Sequence, residues 1–194
     1  MKDTLNSVDL AHGEQVIRAV QQWVETLVVG MNLCPFAKRE LVKNRVRFAP
    51  TVATTEEQLL IALQAELELL NTDPSVETTL LVHSAVLQDF DDYNLFLNYV
   101  DRLLVEMGLE GIYQVASFHP NYQFDGTEPD DAENYTNRSP YPMLHLIREA
   151  SLERAIEEYP DVDQIPVRNM ARMNDMGQLK LQALLKSCLH AAGE

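Results

Sequence analysis

Arginine, histidine and asparagine side chains crowd one stretch of the chain, Asn137-Arg138-Ser139-Pro140-Tyr141-Pro142-Met143-Leu144-His145-Leu146-Ile147-Arg148. Guanidinium groups hold carboxylates or phosphates, and an imidazole titrating near neutrality transfers protons. Arg138, Arg148 and Asn137 are therefore candidate contacts to an anionic substrate, and His145 is a candidate acid or base. Arg168, beside Asn169, is a further candidate anion contact, with a solvated turn as its alternative. The segment Phe118-His119-Pro120-Asn121-Tyr122-Gln123-Phe124 supplies His119 and Tyr122, an imidazole and a phenol within reach of one another. His119 reads either as a general base or metal ligand, or as a histidine that hydrogen-bonds a loop. Cys34-Pro35 places a thiol before a possible helix start, where free N–H groups and the helix dipole stabilise a thiolate. A small buried side chain is the alternative there. Cys34, His119 and His145 together would also suit a zinc-like or iron-like ion, although their wide separation specifies that set weakly.

The elements that position these groups follow from periodicity. Val16, Ile17, Val20, Trp23, Val24, Leu27 and Val28 recur at helical spacing from Glu14 to Val29, with Gly30 as a left-handed stop. Pro35 at a first helical position makes Cys34 an N-cap. Val46-Arg47-Phe48 reads as a short strand. Thr54 and Glu57 form a capping box opening a helix through Leu59, Leu63, Leu67 and Leu70. The nearly continuous run Thr78 to His83 reads as a strand covered on both faces. An amphipathic helix follows, with Tyr93, Phe96, Val100 and Leu104 inward and Gly108 as stop, and then a strand from Ile112 to Phe118.

This alternation predicts an α/β fold: a small, mostly parallel sheet of three to four strands with crossover helices and additional helices at both ends. His83 and His119 should then share the carboxyl rim, where open α/β sheets bind ligands. The polar segment from Asn121 to Asn137 is either a lid or a solvated excursion. A helix from about Ser139 to Tyr159 would carry Tyr141, Leu144, Leu152, Ala155, Ile156 and Tyr159 on one stripe, interrupted by His145 and Arg148. A buried arginine there requires a carboxylate, a backbone carbonyl or a bound anion. A turn containing proline and a last helix from Asn174 to Leu189, with Cys188 among leucines, complete the chain.

The 194 residues, 46% of them hydrophobic, suit one domain spanning 1–194. No apolar run reaches a membrane span and no signal-like start is visible, so a cytoplasmic protein without membrane partners is expected. Two isolated cysteines fit a reducing compartment. A formal net charge of −15 repels phosphate backbones, which excludes nucleic acid as the natural partner. A small anion held by clustered arginines stays compatible with it. Phosphate-loop, C-x-x-C, H-E-x-x-H and G-x-S-x-G motifs are absent, so neither cofactor nor oligomeric state is specified.

Leu33-Cys34-Pro35-Phe36-Ala37, Phe118-His119-Pro120-x-Tyr122-x-Phe124 and Asn137-Arg138-Ser139-Pro140-Tyr141-Pro142-x-Leu144-His145-Leu146-x-Arg148 together resemble a bacterial family, domain of unknown function 1415. The resemblance spans nearly the whole chain and brings no activity with it. The residues themselves support two readings. One is an enzyme on a carboxylate- or phosphate-bearing small molecule, with Arg138 and Arg148 holding the anion, His119 and His145 moving protons, and the 121–137 loop as roof. The other is a non-catalytic metabolite-binding or protein-interaction module.

Overall fold

Leu144 and Leu146 point to one side of an extended segment, His145 and Ile147 to the other, and this alternation builds an inner strand of the sheet. The computed structural model describes residues 2–159 and 161–191. Its strands are β1 (Val46–Thr51), β2 (Thr78–His83), β3 (Tyr113–Phe118) and β4 (Met143–Arg148), in the spatial order β1-β2-β4-β3. The helices are α1 (Lys2–Trp23), α2 (Ala37–Val42), α3 (Glu56–Thr72), α4 (Phe90–Glu106), α5 (Glu149–Glu158), α6 (Gln164–Met176) and α7 (Gln178–Ala191). Among the described residues no helix is long and apolar enough to cross a membrane.

The fold is mixed α/β, but the sheet is not mostly parallel. Only β1 and β2 pair in parallel, while β4 lies antiparallel to both β2 and β3. β1, β2 and β3 run the same way, as the alternation of strands and helices implied, and β4 inserts between the last two. The helix expected from Ser139 to Tyr159 is in fact β4 followed by α5. An inner strand covered on both faces is apolar almost throughout, and over six residues such a run cannot be told from a helix by period.

α3 and α4 cover one face of the sheet, where Leu59, Leu63, Phe96 and Val100 pack on Leu81, Leu144 and Leu146. α3 begins one residue later than expected. Thr55 is its N-cap and accepts from Gln58 N at 3.2 Å, while Gln58 Oε1 accepts from Thr54 N. α1 and α7 cover part of the other face, bringing Val16, Val20, Trp23 and Cys188 onto Leu80, Val82 and Met143.

Beyond Trp23, α1 continues as a π-helix, Val24–Val29, closed by bonds from Gly30 N to Glu25 O (2.9 Å) and from Leu33 N to Val28 O (2.9 Å). Gly30 has an ordinary helical φ of −61°, so it is not the left-handed stop expected. Its requirement is steric, since a Cβ would collide with the Thr26 carbonyl oxygen. Cys34 is likewise no N-cap. α2 starts at Ala37 with Phe36 as its cap, and Cys34 contributes its carbonyl to Ala37 N at 3.2 Å.

The 121–137 segment is neither open nor featureless. A turn of 3₁₀ helix, Ala132–Thr136, packs Ala132 and Tyr135 against Met173 and Leu181. Buried Asn134 ties the segment together, accepting from Phe124 N and Thr127 Oγ1 and donating to Glu128 O. Pro166 sits in the first turn of α6 rather than in a connecting turn, and Pro160 lies outside the described residues. The expected last helix is divided at Gly177, whose φ of +75° ends α6 and admits α7.

Candidate functional site

The part of the second sheet face that α1 and α7 leave uncovered is a cavity of about 540 Å³. Its floor is the amino ends of β1 and β2 with neighbouring residues of β3 and β4, including Leu80, Ala116, Phe118 and Ile147. One wall is the π-helix and the Cys34–Ala37 turn; the other is α5 with its C-cap, presenting Leu152, Ala155 and Tyr159. These three belong to the apolar stripe read in the sequence, so that stripe faces the cavity. The mouth is ionic. Arg45 pairs with Glu40 at 3.2 Å and with Glu77, and Arg39 stands 3.8 Å from Glu158.

His145 lies on this floor, flanked across the sheet by Leu80 and Ala116. Its Nε2 is 2.8 Å from Thr78 Oγ1, and Thr78 Oγ1 is 2.5 Å from the Leu146 carbonyl oxygen. Burial pushes the imidazole down to about 4, so it is neutral at pH 7. Cys34 is on the wall. Burial raises its thiol above the ordinary value, outweighing the opposing backbone N–H groups of Phe36 and Ala37. The thiol is therefore protonated at neutral pH, opposite to the activated state expected from a helix N-terminus.

The remaining candidates do not meet there. His119 is fully buried beside α4, with Asn121 N donating to its Nδ1 at 3.0 Å and its Nε2 donating to Leu87 O at 3.2 Å. Both ring nitrogens are satisfied by backbone, and burial lowers its pKa. His83 and His119 do stand at the same end of the sheet, their rings 5.8 and 5.1 Å from that of Tyr93. That end is packed: Tyr93 donates to Met143 O at 2.8 Å and accepts from Phe118 N at 3.1 Å, pinning β3 to β4. His83 Nδ1 donates to Val86 O, and desolvation pushes its pKa down to about 4.

Arginines expected to hold an anion hold backbone instead. Arg138 donates to Tyr122 O at 3.0 Å and to Pro129 O at 2.7 Å, and lies 4.7 Å over the Tyr135 ring. Arg148 contributes to the cavity lining, but its guanidinium reaches to the α3 side. There it donates to Tyr113 Oη (2.9 Å), Leu70 O (2.5 Å), Val76 O (2.9 Å) and Asp73 O (3.2 Å). Asn137 Nδ2 donates to Ser117 O, Tyr122 packs on Phe90 and Phe124, and Arg168 is exposed on α6 near Tyr159. Of the proposed ligand set, Cys34 and His145 line the cavity and His119 does not. Among the described residues no group of three or more His, Cys, Asp or Glu side chains could hold a metal ion.

Thr78 escaped the sequence reading, as did the Arg45–Glu77 pair at the mouth. The alternation in β2 would have placed Thr78 on the same face as Leu80 and Val82, but nothing local marks it as the partner of an imidazole 67 residues away. No curated protein and no solved structure matches the chain. The model of the family described as protein of unknown function (DUF1415) matches residues 15–183, and the chain belongs to that family.

Proposed function

We propose that this protein is a small-molecule binder whose site is the cavity between the π-helix, α5 and the sheet, and that its ligand is largely apolar. The observation that carries this reading is the cavity itself. About 540 Å³ falls within the roughly 300–1,000 Å³ of small-molecule sites, and largely apolar walls with a few polar groups, here the His145 imidazole on the floor and the Cys34 thiol on the wall, are the usual composition of such sites. A π-helix forming one wall adds weight, because such segments recur beside functional sites.

Binding is favoured over acid–base catalysis by protonation state. A general base works best with a pKa near the operating pH, whereas His145 is pushed down to about 4. The Cys34 thiol is raised, away from the nucleophilic thiolate. A carboxylate or phosphate on the ligand would find donors only at the mouth, since Arg138 and Arg148 are engaged by carbonyls. Both cysteines are free, in keeping with a cytoplasmic setting.

The test fills the cavity. A fragment library is screened by protein-observed NMR against the natural chain and against Ala155→Trp, which places an indole in the space beside Leu152 and Tyr159. The expected result is a set of apolar fragments that bind the natural protein and are lost in the variant while its thermal transition is retained. Fragments that bind the variant equally well, or a library without a single hit, reject the reading.

A further inference from the structure

The hydrogen-bond polarity at the cavity floor is fixed by atoms that have no choice. The Leu146 carbonyl oxygen can only accept, and it lies 2.5 Å from Thr78 Oγ1. Two oxygens at that separation without a proton between them would repel, so the Thr78 hydroxyl proton points to Leu146. The hydroxyl then has only lone pairs to offer His145 Nε2, 2.8 Å away, and Nε2 must carry the imidazole proton. A neutral imidazole has one N–H. Nδ1 is therefore a bare lone pair, without a partner among the described residues, on a ring that lines the cavity.

We infer that the cavity selects ligands presenting an O–H or N–H donor to His145 Nδ1, such as a phenol or an indole-like N–H on an apolar ring system, and that Thr78 is the positioning residue that sets this preference. The inference rests on the small-molecule reading of the cavity and adds the chemistry of the polar contact on its floor. Discrimination by a donor arises because an acceptor at the same place meets another lone pair, and a ligand with neither leaves Nδ1 desolvated without a partner. Both cases lose relative to a donor. The Phe118 ring, 6.2 Å from that of His145, and Leu80 supply the apolar surface against which a planar body would lie.

The experiment uses three probes of one shape: naphthol as donor, methoxynaphthalene as acceptor and naphthalene as neither. Their affinities are measured by NMR titration of the natural chain, Thr78→Val and Thr78→Ser, and the imidazole tautomer is read from nitrogen chemical shifts. The natural protein is expected to show His145 protonated at Nε2 and to bind naphthol about tenfold more tightly than the ether. Thr78→Val should mix the tautomers and erase most of that ratio, and Thr78→Ser should restore it. A purely structural role for Thr78 would change all three affinities together and leave their ratio intact, which overturns the assignment. Equal binding of naphthol and ether in the cavity of the natural protein overturns the donor preference but leaves the binding reading standing. Failure of all three to shift the His145 and Ile147 signals rejects the binding reading and the inference with it. A free protein with His145 protonated at Nδ1 overturns the inference whatever the ligands do; that readout requires no variant to fold.

Discussion

Replacing Arg148 with Met tests whether this arginine serves the fold or a ligand. Its guanidinium makes four hydrogen bonds, three of them to the carbonyls of Leu70, Asp73 and Val76 and one to the Tyr113 hydroxyl. Leu70 lies in the last turn of α3, whose final carbonyls lack helical partners, so the cation also complements the negative end of that helix. A hydrogen bond involving a charged group is worth about 1.5–3 kcal/mol, and the dipole adds about 0.3–1 kcal/mol. These do not sum. One group makes all four bonds, Met keeps the packing of the stem, and the partly exposed carbonyls regain some water. A net loss of about 3 kcal/mol is expected, which lowers the thermal midpoint by roughly 6–12 °C for a chain of this size. Arg148→Lys should fall between the two, because an ammonium keeps the charge without the fork that spans Tyr113 and the three carbonyls. Paired denaturant unfolding without ligand gives the number, and cavity affinity for the fragments should change less than twofold. A loss below about 1 kcal/mol would refute the structural role, because it lies under the worth of even one hydrogen bond to a charged group.

Acid should destabilise the protein across the window set by two of its desolvated histidines. His83 and His145 are lowered from 6.5 to about 4, so above pH 6.5 both states hold them neutral. As pH falls from 6.5 toward 4 the unfolded chain takes up protons that the folded chain refuses, and stability drops by a few kcal/mol until the folded pKa is reached. Urea midpoints between pH 7.5 and 4.5 measure this, and a flat profile in that window rejects the neutral assignment. Cys34 should label faster than fully buried Cys188 in the native protein, yet more slowly than a free thiol because it is held protonated. Cavity ligands should slow it further; equal labelling rates for the two cysteines, read by mass spectrometry, would contradict the placement of Cys34 on the cavity wall.

Local signals were legible wherever they were sufficient. β2 and α4 stood out in the sequence because a strand buried on both faces and a helix with one apolar stripe each carry their own pattern. The direction shared by β1, β2 and β3 was legible too, since helical crossovers impose it. β4 was not. Its six residues gain their strand identity from pairing with β2 and β3 on either side, and the adjoining α5 lent the segment an apparent helical period. Moving His145 from a helix to a strand also separated it from Arg148. On a helix the two would share a face, whereas on a strand, three residues apart, they point to opposite sides of the sheet.

The arginines show why a cluster of charged side chains in sequence does not locate a site. A desolvated guanidinium needs acceptors, and the sequence reading left a carboxylate, a carbonyl or an anion open for Arg148. The fold supplies carbonyls, because helix ends and irregular loops leave them unpaired, as at the end of α3 and in the 121–137 segment. Arg138 and Arg148 are therefore engaged within the chain, at positions where a sequence argument wants an anion. The imidazole of His145 meets the opposite circumstance. One nitrogen is bound by a hydroxyl that has already given its proton to a carbonyl, and the other has no partner among the described residues. A polar atom left over after the backbone has been satisfied is a better guide to a ligand than charge alone, and on the floor of this cavity His145 Nδ1 is such an atom.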